Sequence, residues 1–465
     1  MGTQHRPLLV AVATGSALMS SACGDTAHLR LAAGEGTHPA IPPPRTSPLP
    51  SIHIAPAEGW RHGETPLAAA GMSVNAFARD LSHPRWLYVL PNGDVLVAET
   101  DTPPKPEDFK GIRGKIYRAV QKRAGSGKKP SANRITLLRD TSAHARDRNG
   151  HAQDVGAEGV ATNRTVLISG LNSPVGMTLV GNSLYVADTD AILRFQYTPG
   201  QTQITAPGTK LVDLPGGPIN HHWTKTLVAN TDGSKLYVGV GSNSNIAENG
   251  MAAEEGRAAV WEIDTATGAH RVYASGLRNP VGLAWEPTTH ALWVSVNERD
   301  EIGGDVPPDY MTALKEGAFY GWPYSYFGQH VDERVKPQRP DLVERAVVPD
   351  YALGPHTASL GLCTANGTSL PEEFQHGMFV GQHGSWNRKP LSGYKVIFVP
   401  FSQGRPSGLP IDVLTGFVDQ NGKARGRPVG VAIDKHGALL VADDVGNTVW
   451  RVTSTEETSA WAGSQ

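Results

Sequence analysis

One short pattern recurs along this chain and limits its fold more than any other feature. It is an apolar residue, a Gly or Asp turn, then about four apolar residues ending at a small or acidic one. It reads LPNGDVLVAET from Leu90, LVGNSLYVADT from Leu179, NTDGSKLYVGVGS from Asn230, TTHALWVSVNE from Thr288, HGMFVGQHG from His376 and DKHGALLVADD from Asp434. Taking Val95, Leu184, Leu236, Leu292, Met378 and Leu439 as equivalent gives six units at intervals of 89, 52, 56, 86 and 61 residues. Turn-linked strands repeating at this length predict an all-β protein, a six-bladed β-propeller, with another sandwich or barrel as the alternative. Several units run on into a further strand with an aromatic, as hairpin-built blades require: GKIYRAV at Gly114, AILRFQY at Ala191, AAVWEID at Ala258, GYKVIFVPF at Gly393 and NTVWRV at Asn447. The two long intervals predict insertions at about 101–165 and 300–355, and long loops in a compact fold are more often functional than decorative.

The 52 Gly and 35 Pro, close to a fifth of 465 residues, agree with many turns between short strands. A net charge of -2 gives no reason to expect nucleic acid as a partner. Cys23 and Cys363 are the two cysteines, too few for a disulfide framework, and Cys363 reads as buried packing. Arg6, the apolar run Leu8 to Met19 and the small residues Ser20, Ser21 and Ala22 read as an export signal over residues 1–22. Cleavage after Ala22 leaves Cys23 first, resembling a bacterial lipoprotein and so a possible membrane attachment. Ser20 stands where that pattern usually has Leu, and ordinary signal peptidase suits the same residues. Residues 23–59, with IPPPRTSPLP and little apolar periodicity, read as a stiff extended tether. The globular domain is expected over 60–465.

In a propeller the loops ahead of the inner strands converge at one end of the channel. Here they carry SPVG at Ser173, INHHWTKT at Ile219, RNPVG at Arg278, GPHTAS at Gly354 and GRPVG at Gly426. The stretch GLRNPVGLAWEP with its continuation ALWVSVNERDEIGGD puts Arg278 and Asn279 in a turn just before a strand-like run, and Asn297, Glu298, Arg299 and Asp300 just after it, at the two ends of one short β segment. A cation, an amide and a set of oxygen donors suit an anionic cofactor beside a hard metal ion, or equally a surface ion-pair network.

NHHWTKTLVANTDGSKLYVGVGSNSN, GLRNPVGLAW, NERDEIGGD with FYGWPYSYFG, GQHGSWNRKPLSGYKV and GRPVGVAID together resemble the sorbosone dehydrogenase type of soluble quinoprotein, related to glucose and pyranose dehydrogenases that use pyrroloquinoline quinone (PQQ). The resemblance covers roughly Trp60 to Val452. It implies a six-bladed propeller holding the quinone at the mouth of its channel with Ca2+ bound to it, a sugar or sugar-aldehyde substrate, and a separate electron acceptor. His222 matches the catalytic histidine, whose role is general base, with His221 beside it. Arg278 and Asn279 match the pair that contacts the quinone. Arg425 and Arg427 match a paired arginine motif that clamps a cofactor carboxylate. Arg388 or Lys389 stands where a cofactor-contacting lysine is expected, in a longer loop. The calcium carbonyls map onto Glu298 and Arg299, preceded by Asn297, although the usual Gly-Pro pair is absent. His356 falls on a rim loop as a candidate for lining the pocket. Two rival readings remain: a metal-dependent lactonase or hydrolase on the same fold, which needs a cage of Asp, Glu and Asn, and a catalytically silent propeller that binds sugar or protein.

Overall fold

Every repeated run forms the second strand of a four-stranded antiparallel blade. The structure, a computed structural model, describes residues 26–46, 52–104, 119–120, 122–125, 130–140 and 159–455. Blade 1 is Pro84–Val89, Val95–Glu99, Arg134–Arg139 and Asn163–Ser169. Blade 2 is Met177–Val180, Ser183–Ala187, Ala191–Gln196 and Thr209–Asp213. Leu227–Ala229, Lys235–Val240, Ala259–Asp264 and His270–Ser275 make blade 3. Blade 4 is Asn279–Trp285, Leu292–Asn297, Pro308–Ala313 and Tyr351–Pro355. Ser359–Thr364, Gly377–Gln382, Lys395–Ser402 and Ile411–Thr415 make blade 5. Blade 6 takes Pro428–Ile433, Leu439–Asp443 and Thr448–Ser454 from the end of the chain and its outermost strand, Met72–Ala78, from the beginning. Trp450 stands opposite Ala76 and Val452 opposite Val74, so one mixed blade closes the ring.

The Pro-Val-Gly loops show why that tripeptide repeats. Pro280 pairs with Val296 and Leu283 with Val294, leaving Val281 and Gly282 in a bulge; Val429 and Gly430 sit in the same bulge of blade 6. The bulge turns the valine toward the axis. Val175, Val281 and Val429 meet Leu360 and Trp86 in one apolar cluster. Residues from the inner ends of five blades can touch only at the centre, so this cluster is the floor beneath the channel mouth. The glycine faces the adjoining blade. A Cβ on Gly282 would lie 2.5 Å from the Leu362 side chain and one on Gly430 2.8 Å from the Arg85 carbonyl, so a side chain there would push blades apart.

The acidic ends of the repeats have a local task too. Glu99, Asp188 and Asp443 are buried and accept the backbone N–H of Ser82, Asn172 and Arg427, each in the loop ahead of the inner strand of its own blade. Blades 3, 4 and 5 end their second strands differently, at Val240, Asn297 and Gln382. Those three blades line the cavity described below.

Two expectations change. In blade 1 the third strand is Arg134–Arg139, not GKIYRAV, most of which lies outside the described residues along with the signal segment and Cys23. Second, the described part of residues 23–59 is a docked strap rather than a free tether. Extended backbone presents unsatisfied N–H and C=O groups along its length, and the loops of blades 4 to 6 take them up. Ala27 N–H donates to the Lys389 carbonyl, Arg45 N–H to Ile302, His53 N–H to Trp386 and Glu58 N–H to Ala424, each at 2.8 Å. Glu35–Gly36 adds an edge strand to blade 4, and Leu67–Ala68 one to blade 5. Among the described residues no helix is long and apolar enough to cross a membrane.

Candidate cofactor and active site

On the face where the inner strands begin lies a cavity of about 180 Å3. The loop ahead of blade 3 lines it with His221 and His222, blade 4 with Arg278, Asn279, Asn297, Glu298, Asp300 and Asp309, the loop ahead of blade 5 with His356 and Ala358, and the loop after the second strand of blade 5 with Trp386 and Asn387. Six of the expected cofactor, metal and catalytic residues therefore line one cavity: His222, Arg278, Asn279, Asn297, Glu298 and His356.

His222 is fixed from three sides. Its Nδ1 lies 2.9 Å from the Ser242 carbonyl oxygen and 3.0 Å from the Ser242 hydroxyl, which itself donates to the Ser244 carbonyl. A carbonyl can only accept, so Nδ1 carries the hydrogen and Nε2 is the basic nitrogen of the neutral ring. The loop is pinned below: Arg257 donates to Asn220 Oδ1 at 3.1 Å, Asn220 donates to the Thr189 hydroxyl at 2.7 Å, and that hydroxyl donates to the Trp223 carbonyl at 2.8 Å. Gly241 closes the third side. A Cβ there would stand 2.5 Å from both Asn279 Oδ1 and His222 Cβ, so the imidazole loop and the Arg-Asn turn approach across a glycine.

Arg278 is 3% exposed and its fork is fully engaged. Nη1 donates to the Glu298 carbonyl at 2.6 Å, Nη2 to Asn245 Oδ1 at 2.9 Å and to Asp300 Oδ2 at 3.1 Å, and Nε to the Asn245 carbonyl at 3.3 Å. Asp300 Oδ1 accepts from Asn387 Nδ2 at 2.7 Å and lies 3.7 Å from His356 Nδ1. Burial works against the Asp300 carboxylate, but Arg278 and His356 outweigh it and hold its pKa below the usual value. Burial likewise opposes a charged His356, and Asp300 with the Gly303 carbonyl overcomes it, raising that imidazole. Asp309 also faces the His356 imidazole, which does not offset its burial. Burial pushes its carboxyl up to about 6 against the Glu298 N–H that it accepts.

The other residues expected at the cofactor stand elsewhere. Arg388 is buried, but its guanidinium donates to the carbonyls of Gly304, Pro390 and Leu29. Lys389 is exposed. Arg427 donates to the strap carbonyl of Ala55 at 3.1 Å with its carbon 4.9 Å from the Tyr394 ring centre, and Arg425 lies 3.5 Å from Glu64. Each of these three arginines finds partners in the amino-terminal segment, far upstream in the chain, where no local pattern marks the match. Arg299 turns away from the cavity, donating to the Pro323 and Ser325 carbonyls and pairing with Glu298 and Asp332. Of the expected metal trio, then, Asn297 and Glu298 reach the cavity, and the Glu298 carbonyl is occupied by Arg278. Among the described residues no group of three or more His, Cys, Asp or Glu could hold a metal.

Sequence reasoning passed over Trp386, Asn387 and Asp309, and a second polar cluster. There Asp444 Oδ2 accepts from Arg85 at 2.6 Å and pairs with His383 Nε2 at 2.9 Å. Burial lowers His383 to about 4, so it is neutral. The signal for Arg85 was available: SHPRW at Ser82 is the sixth loop ahead of an inner strand, with Arg-Trp where three of the other five have Val-Gly.

The lining can take an anionic quinone with one buried guanidinium and three imidazoles, set against Glu298, Asp300 and Asp309, while the buried amide oxygens of Asn279 and Asn387 can only accept and have no hydrogen-bond partner among the described residues. Amide oxygens of that kind also suit calcium, whereas the carbonyl set expected for it is not assembled. A family model described as TrAA12-like matches residues 143–309 and 337–455. The chain belongs to the TrAA12-like family. A relative of this TrAA12-like chain is the pyrroloquinoline quinone-dependent pyranose dehydrogenase of Coprinopsis cinerea, 26% identical over 296 residues; the match spans 54% of this chain and 39% of that protein. The solved PQQ domain of the Coprinopsis cinerea pyranose dehydrogenase superposes with a TM-score of 0.64 at 21% identity, covering 86% of this chain and all of that one. The calcium structure of the Trichoderma reesei AA12 enzyme gives 0.64 at 18%, over 87% and 99%. At these identities the superpositions establish that the TrAA12-like chain shares their fold.

Proposed function

We propose that this chain is a PQQ-dependent dehydrogenase that oxidises an aldose or sugar aldehyde, with His222 as general base. The observation that carries the reading is the meeting of His222 with Arg278 and Asn279 across Gly241, in one cavity on the mouth of a TrAA12-like propeller. The quinone, when bound, supplies the two-electron acceptor. Arg278 and Asn279 would hold it, the guanidinium offsetting negative charge that grows during reduction. The Ser242 carbonyl keeps the Nδ1–H of His222, which leaves Nε2 to take the proton of a substrate hydroxyl. Asp300 and Asn387 fix Arg278 at the opposite wall. Calcium is included as a companion ion, with the Asn279 and Asn387 amide oxygens as its candidate ligands. The substrate class follows from the dehydrogenase relative and from the resemblance to sorbosone dehydrogenases. Export, with Cys23 as an attachment point, belongs to the same proposal.

The test is reconstitution. Purified protein receives PQQ and calcium, and bleaching of a redox dye is followed over a panel of sugars. Dye reduction that needs both additions supports the dehydrogenase. Calcium-dependent lactone opening without quinone supports the hydrolase instead, and neither activity leaves a binding propeller.

A further inference from the structure

The guanidinium of Arg388 ties together three stretches of chain from a position 2% exposed to solvent. Nε donates to the Gly304 carbonyl at 2.9 Å, Nη1 to Pro390 at 2.9 Å and Nη2 to Leu29 at 3.4 Å. Gly304 lies in the loop that carries Asp300. Pro390 lies in the loop that carries Trp386, Asn387 and Arg388 itself. Leu29 belongs to the strap. Strap and loops are joined again close by: Asp305 accepts the backbone N–H of His28 at 2.8 Å and of Leu29 at 3.1 Å, and Ala27 N–H donates to Lys389. The same two loops touch inside the cavity through the Asn387–Asp300 hydrogen bond, and Asp300 in turn holds Arg278.

An unbroken series of contacts thus runs from the strap through Arg388 to the cation of the cavity. The guanidinium spreads its donors over three nitrogens in a fixed plane and so holds three carbonyls at set separations; the three donors of an ammonium leave one nitrogen on a flexible stem and fix them less firmly. We propose that Arg388 is a positioning residue and that residues 27–29 are a working part of the site, together setting the separation of the two loops and so the seat of Arg278. This rests on the cavity being the quinone site. It assigns to the amino-terminal segment a role in cofactor affinity that no residue of the propeller supplies by itself.

Arg388→Lys and Asp305→Asn loosen the junction from opposite sides, and neither residue lines the cavity. Amide hydrogen exchange reads the strap, and titration with PQQ reads the site. In each variant, exchange at His28 and Leu29 should quicken and the PQQ dissociation constant should rise about tenfold, the size of other outer-shell losses. Saturating quinone should then restore kcat. The double variant should bind no more weakly than the weaker single one, because both act through one junction. Faster exchange with unchanged quinone affinity overturns the proposal, and so do fully additive losses. If the wild-type chain binds no quinone, the functional reading fails separately. The proposal is then decided by whether Asp305→Asn quickens exchange at Trp386 and Asn387 as well as at Leu29; a change confined to the strap overturns it.

Discussion

At the scale of single residues, the site depends on three side chains and one missing side chain. His222→Ala removes the basic nitrogen while leaving Arg278 and Asn279 in place. Turnover should fall by about 10²–10⁴-fold, the usual worth of a general base. PQQ affinity should change far less, because the guanidinium and amide proposed to hold the quinone stay in place. Equal loss of both would count against the proton-transfer role. Arg278→Lys keeps the charge but gives up the fork that meets Glu298, Asn245 and Asp300 together. It should weaken quinone binding more than it slows the loaded enzyme, measured by titration against single-turnover rates. Gly241→Ala places a methyl group against His222 and Asn279. Overpacking of this kind costs about 1–3 kcal/mol, to be read from urea unfolding, and it should lower turnover as well because the crowded atoms are those of the site. His222 and Arg278 came to notice through the resemblance of INHHWTKT and RNPVG to the quinoprotein pattern, and both line the cavity. The same pattern did not place Arg388, Arg425 and Arg427: the partner of Arg427 is 372 residues away, and nothing in a local pattern says that Ala55 will cover it.

Among the elements, the repeats were legible because each of their features does a separate physical job. Proline starts the inner strand, valine fills the axis, glycine admits the next blade, and the acidic residue at the end of the second strand ties down its own loop. Gly282→Ala should therefore destabilise by about 1–3 kcal/mol, measured as a lower urea midpoint with unchanged far-UV circular dichroism, since blades and not strands are forced apart. No change in the midpoint would mean that the blades have room to separate. Legibility failed where an element lacked the motif. Blade 1 has Arg-Trp in place of Val-Gly, so its loop with Arg85 went unread. Inside its insertion, two apolar runs competed for the third strand, and RITLLR won by pairing with Val95–Glu99. The strap was misread for a related reason: extended, Pro-rich chain has no apolar period to betray that it docks through its backbone.

For the molecule as a whole, buried carboxyls shape the dependence of stability on pH. Burial raises Asp188, Asp309 and Asp443 to about 6 from 3.8. A carboxyl raised in the folded state keeps a proton that the unfolded chain releases, so its contribution is present below about 4 and is lost as the pH rises through about 6. Asp188 isolates the effect, for its Oδ1 is buried without a hydrogen-bond partner among the described residues. Asp188→Asn should gain stability relative to wild type as the pH rises from about 4 to about 6 and hold that gain above it; a difference independent of pH would contradict the assignment. Asp300, held down by Arg278, has the opposite sign and loses its contribution as the pH falls below the usual carboxylate range. The closed ring keeps these groups dry, and its closing strand comes from the chain's beginning, so fold and site share the amino-terminal segment. The central claim is that blades 3 to 5 hold a redox cofactor between one imidazole and one guanidinium. A crystal structure of the protein loaded with PQQ and calcium tests it most directly. The account predicts quinone density in the cavity, touching Arg278 and Asn279 with His222 Nε2 facing its reactive carbonyl. Quinone bound elsewhere on the propeller, with that cavity empty, would contradict it.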